Sequence, residues 1–151
     1  MLNYFYIFFG KVMIMKQVIE YIQKKYDPLC LILYGSYADG TNRLNSDFDA
    51  LVITADHEPF HDTSLVAGIP LDVFVYPAGY FEGAYACEDF VQIFDGRVIM
   101  DRHDIGKSLL ANVRAYLQNR PGKTSAEIQA NIDWCVKMSA RAKRCDCEGL
   151  F

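Results

Sequence analysis

Asp47 and Asp49 flank Phe48 in the run SDFDALVIT, and in an extended strand residues two apart point to the same side while the one between points to the other. Two carboxylates held side by side repel unless a cation lies between them, and hard oxygen donors select Mg2+ or a similar ion such as Mn2+. A third carboxylate, Asp72, interrupts the otherwise apolar run LDVFVY. If that run pairs beside the first strand, the three carboxylates converge. Such a cluster can hold two divalent ions roughly 4 Å apart, which clamps both the attacking and the leaving oxygen of a phosphoryl transfer. Gly35 and Ser36 follow the apolar run LCLILY and supply a complementary part. A strand ending in glycine lets a phosphate approach the backbone, and a helix opening at Ser36 would aim free N–H groups and a hydroxyl at triphosphate oxygens. Arg43 would add a charge-assisted contact.

Those residues need strands and helices to position them, and the hydrophobic periodicity indicates which. Val18, Ile22 and Tyr26, with Ile19, fall at helical spacing opposite a Lys- and Gln-rich face, which predicts an amphipathic helix over 16–26 that Asp27-Pro28 ends. Leu29 to Tyr34 is a continuous apolar run, as in a central strand covered on both faces. Phe48 to Thr54 is the next strand. After a polar loop that contains His57 and His61, both read as solvated loop residues, 64–76 suggest a hairpin turning at Gly68 with LDVFVY as a core strand. An edge strand is expected around Val98 to Met100, and Asp101 to Asp104 reads as a capping segment ahead of a helix over 105–119. Thr124 and Glu127 have capping-box spacing and open a last, long helix. Its Ile128, Ile132, Cys135, Val136 and Met138 leave an apolar face, to be covered by the core, by a second copy, by a helical partner or by chain beyond residue 151.

The organisation expected is therefore an apolar N-terminal extension over 1–15, a catalytic domain over 16–104 and C-terminal helices over 105–151. The extension is read as dispensable or packing, with an extra strand or a partner contact as the other readings. Of 151 residues, 52% are hydrophobic and 23% charged, which suits a globular core and excludes disorder. A net charge of −4 argues against general wrapping of nucleic acid, so phosphate recognition has to be local. The apolar run Tyr4 to Phe9 is far shorter than the roughly 20 residues that span a bilayer, so no membrane insertion is expected. Five irregularly spaced cysteines read as free thiols in a reducing cytoplasm.

The order of apolar strand, Gly35-Ser36, spacer, Asp47-Phe48-Asp49 and a later strand carboxylate at Asp72 resembles the nucleotidyltransferase superfamily, which includes DNA polymerase β and the aminoglycoside nucleotidyltransferases. Similarity is greater still to its small bacterial members, whose spacer usually reads GSRARGTARPDSDID where this chain has GSYADGTNRLNSDFD; Tyr37 and Asp39 stand where those members usually have Arg. The resemblance spans roughly residues 16 to 101. It implies an α/β (α+β) fold, a mixed β-sheet with helices packed mainly on one face. It implies transfer of a nucleoside monophosphate from an NTP, with ATP the expected donor, to a hydroxyl of an antibiotic-like small molecule or a protein, releasing pyrophosphate. Asp47, Asp49 and Asp72 would be the catalytic metal ligands, with Asp72 the candidate general base, and Gly35, Ser36 and Arg43 would hold the nucleotide. A different class of function stays open beside it: an antitoxin-like nucleotide-binding partner of a helical protein, with weak or no catalysis.

Overall fold

The computed structural model describes residues 2–147, with side chains over 13–141. It contains two units, Met1–Gln118 and Asn119–Phe151. The first is built on a sheet in which β1 (Cys30–Leu33), β2 (Phe48–Thr54), β3 (Phe60–Asp62), β5 (Ile69–Pro77) and β6 (Arg97–Asp101) lie in the order β3-β5-β2-β1-β6, with the short β4 (Leu65–Val66) paired to β5. Only β2 and β5 run parallel; their neighbours are antiparallel, so the sheet is mixed. The hairpin turns at Ala67 and Gly68, both with positive φ (51° and 81°), which matches the right-handed strand twist as a two-residue loop must. The 55–63 segment is not all loop: Phe60 to Asp62 add the edge strand β3.

The strands β1 and β2 are almost entirely apolar and buried, so both faces of the sheet need cover. α1 (Leu2–Tyr26) covers one face with Val18, Ile22 and Tyr26, one every fourth residue, against Leu31, Leu33, Phe48, Val52 and Val73. α3 (Ile105–Asn119) covers the other with Leu109, Leu110 and Val113 against Cys30, Ile32, Leu51 and Ile53. The expectation of helices mainly on one face is thus corrected. The reason lies in β1 and β2 themselves, where consecutive apolar side chains alternate between two faces and each demands a partner. Full burial of each such side chain contributes roughly 1.5–3 kcal/mol.

α1 also runs unbroken from Leu2, so no strand forms ahead of residue 16. Between β5 and β6 two 3-10 turns, Ala78–Phe81 and Cys87–Ile93, place Phe81, Phe90 and Ile93 on the α3 face. The predicted capping before α3 is made by Asp101, whose Oδ2 accepts the Lys107 N–H at 3.0 Å. α3 belongs to the first unit because its apolar stripe is part of that core.

The second unit is built on α4 (Ser125–Cys147). Its start is a capping box: Glu127 N–H donates to Thr124 Oγ1 at 3.3 Å, and Thr124 N–H donates to Glu127 Oε2 at 2.7 Å. Ile128, Ile132, Trp134 and Val136 along it are 47 to 64% exposed. Among the described residues no helix is long and apolar enough to cross a membrane, and Cys30, Cys87 and Cys135 are free thiols.

Candidate active site

Strand alternation decides which side the carboxylates take. In β2, Ala50 and Val52 pack toward α1 while Leu51 and Ile53 pack toward α3; in β5, Leu71, Val73 and Val75 pack toward α1 while Phe74 and Tyr76 face the other way. Asp49 and Asp72 therefore emerge on the α3 side. The parallel register pairs Asp49 directly with Asp72. Asp47 lies just before β2, exposed, with Phe48 buried beneath it.

The electrostatics report the crowding. Burial, then the charges of Asp72 and Asp47 and a hydrogen bond shared with Asp72, push the Asp49 carboxyl up to about 6. Carboxylates gathered this closely without a cation leave this part of the sheet short of positive charge. Tyr34, which the sequence presents only as the last residue of an apolar run, is also part of this neighbourhood. It is 6% exposed, and its phenol is driven upward by burial and by the charges of Asp72 and Asp49.

Gly35 follows with φ +64°, and a Cβ on it would fall within 2.3 Å of Asp49 Oδ2. A side chain there would have to displace the carboxylate that occupies its space. α2 (Gly35–Asp39) then begins, with Ser36 half-buried at its second position, and ends at Gly40 in the left-handed conformation. Tyr37 turns inward and packs on Phe48 with ring centroids 5.4 Å apart. Asp39 closes the following turn by accepting from Thr41 N–H at 2.8 Å and Thr41 Oγ1 at 2.6 Å. The two positions that depart from the Arg-rich spacer thus have roles in packing and turn closure.

Arg43 stands elsewhere. It is exposed, its backbone N–H donates to Ser46 Oγ at 2.8 Å, and it lines with Ile14, Tyr37, Leu44 and Ile69 a cavity of about 160 Å3. Among the described residues no ion pair joins it to Asp47, Asp49 or Asp72.

His61 is the principal residue that sequence reasoning missed. It lies on β3 opposite Phe74, stacks on that ring at 4.3 Å with the planes 2° apart, and places Nε2 2.5 Å from Asp72 Oδ1. The sequence carried no periodic signal for it, because β3 is only three residues long and Phe60 and His61 are both exposed. His57 meets the edge of Tyr26, at 5.9 Å between centroids.

As donors, Asp49, Asp72 and Asp47 are hard oxygens in mutual repulsion, a set that fits a divalent hard cation. Among the described residues no group of three or more His, Cys, Asp or Glu side chains is placed to hold a metal ion; like charges keep such side chains apart until a cation offsets them.

Residues 16–69 match the family described as polymerase beta, nucleotidyltransferase, a stretch that runs from α1 through Gly35, Ser36, Asp47 and Asp49 to the start of β5. No curated protein matches. Among solved structures, a chain from the crystal structure of a toxin-antitoxin with AMP-PNP is 19% identical, aligned over 80% of this chain and 97% of its own length, with a TM-score of 0.46.

Proposed function

We propose that this chain, whose residues 16–69 are of the nucleotidyltransferase superfamily, transfers a nucleoside monophosphate from an NTP to a hydroxyl group of a small molecule or a protein. The supporting observation is the facing of Asp49 and Asp72 in register on adjacent parallel strands, with the Gly35 backbone against the Asp49 carboxylate. A divalent cation such as Mg2+ or Mn2+, held by Asp49 and Asp72 with Asp47, would neutralise the triphosphate and the departing pyrophosphate.

The rest falls to the chain's own groups. Gly35 leaves the backbone bare beside the carboxylates, and Ser36 offers a hydroxyl and an N–H to phosphate oxygens at the mouth of the strand. The acceptor oxygen forms a bond to the α-phosphorus, the bond from that phosphorus to the β-phosphate bridging oxygen breaks, and pyrophosphate leaves with the electron pair. Asp72, exposed enough to meet an acceptor, takes the hydroxyl proton.

The test is to incubate the protein and its Asp49→Asn variant with Mg2+, each NTP in turn and a library of hydroxyl acceptors, and to follow pyrophosphate release with product mass spectrometry. A product heavier by a nucleoside monophosphate residue, formed by the wild type and lost in the variant, is expected. Equal yields from both proteins would overturn the reading.

A further inference from the structure

We infer that His61 is a positioning residue for Asp72, fixing one carboxylate oxygen so that the other is presented to the cation and the acceptor. This rests on the reading of Asp72 as part of a nucleotidyltransferase site, and it concerns a residue on the edge strand that belongs to neither the Gly-Ser nor the Asp-x-Asp motif.

Three features converge on it. β3 pairs antiparallel with β5, so His61 sits directly opposite Phe74 and diagonal to Asp72, on the carboxylate face of the sheet. The imidazole lies flat on the Phe74 ring, 4.3 Å away and 2° from parallel, which restricts the plane in which it can turn. Within that plane Nε2 points at Asp72 Oδ1, 2.5 Å distant, donating its N–H to an acceptor-only group. On its other side Asp72 faces Asp49 directly in the parallel register. The carboxylate is therefore held between a donor on one side and the site on the other.

Stability does not account for the contact. The two side chains are 43% and 39% exposed, and an ion pair or hydrogen bond so open to water contributes little to folding. A hydrogen bond that fixes a ligating carboxylate does have a use, since partners of this kind typically change metal affinity 10- to 100-fold.

The experiment measures Mn2+ binding by the loss of the free-ion electron paramagnetic resonance signal, in the full chain with no nucleotide or acceptor. His61→Phe keeps an aromatic ring to stack on Phe74 and removes the donor; His61→Gln removes the ring and restores an amide N–H at similar reach. His57→Phe, at a histidine that meets Tyr26 instead, is the control. Expected are a 10- to 100-fold weaker dissociation constant in His61→Phe, recovery of most of that loss in His61→Gln, and no change in His57→Phe. Mn2+ binding in His61→Phe equal to wild type, or a loss that His61→Gln fails to recover, overturns the inference and leaves the proposed function standing. A wild-type chain that binds no Mn2+ overturns the proposed metal site, and the inference with it.

Discussion

Gly35→Ala separates two costs that usually come together. The first is conformational: at φ +64° a residue with a Cβ is strained by roughly 1–2 kcal/mol. The second is steric. The new methyl would stand 2.3 Å from Asp49 Oδ2, 3.0 Å from its Cγ and 3.3 Å from its Cβ, so the carboxylate would have to retreat by about 1 Å to reach van der Waals distance. Gly68→Ala isolates the first cost, because Gly68 has φ +81° and nothing within 4 Å of its missing Cβ. Both variants should lose about 1–2 kcal/mol in urea unfolding, with a larger loss at Gly35. Activity should divide them. Displacing a catalytic group by about 1 Å can cost on the order of 100-fold in rate, so pyrophosphate release should fall by that order in Gly35→Ala and hold in Gly68→Ala. Wild-type turnover in Gly35→Ala would refute the claim that this glycine exists to make room for Asp49.

Two further predictions concern pH. Asp62 is 3% exposed at its side chain; against the burial that would raise it, bonds from Ser64, Tyr26 and Lys25 hold its carboxyl down to about 2. Stability from this group is present above the ordinary pKa of 3.8 and is lost as pH falls through about 2, so Asp62→Asn should remove about 2 kcal/mol at neutral pH and flatten the acid limb of the urea midpoint; an unchanged acid limb would count against it. Asp49 has the opposite sign. Its carboxyl is raised to about 6 by burial and by the Asp72 and Asp47 charges, so without divalent cation the folded chain loses stability as pH rises from about 4 to about 6. With chelator at pH 7.5, Asp49→Asn should unfold at a higher urea midpoint than wild type by roughly 1 kcal/mol or more, and a lower midpoint would contradict the repulsion.

Much of this fold was legible because its elements obey simple periods. Phe48 to Thr54 and Ile105 to Asn119 form where the apolar pattern requires, and the Gly68 hairpin forms where a positive φ was needed. What was hidden has a common cause, namely that periodicity does not report pairing. β3 is three residues long, with Phe60 and His61 exposed, so no alternation could develop. The placement of α1 and α3 on opposite faces depends on which side each strand residue takes, which a continuous apolar run conceals. In the site, the spacing of Asp47 and Asp49 was readable, but the Asp49 to Asp72 register depends on a parallel pairing across an intervening hairpin. The fit of Gly35 against Asp49 depends on that three-dimensional closure as well.

The parallel pairing also explains why the carboxylates and the histidine meet. A chain leaving β2 must travel back along the sheet before it can run parallel beside it, and the return segment here carries β3 and β4. Once β5 is in place next to β2, β3 completes the edge on its far side, which sets His61 across from Phe74 and within reach of Asp72. Asp49, Asp72 and His61 thus come from three adjacent strands by one topological step. The repulsion between the carboxylates opposes that step. It is offset by the apolar residues on both sides of β1 and β2, fully buried at Leu31, Ile32, Val52 and Ile53, whose burial does not depend on the charge state of the site. A sheet stabilised by residues that take no part in the chemistry can hold a cluster of like charges in a fixed arrangement, with electrostatic strain that a bound cation would relieve.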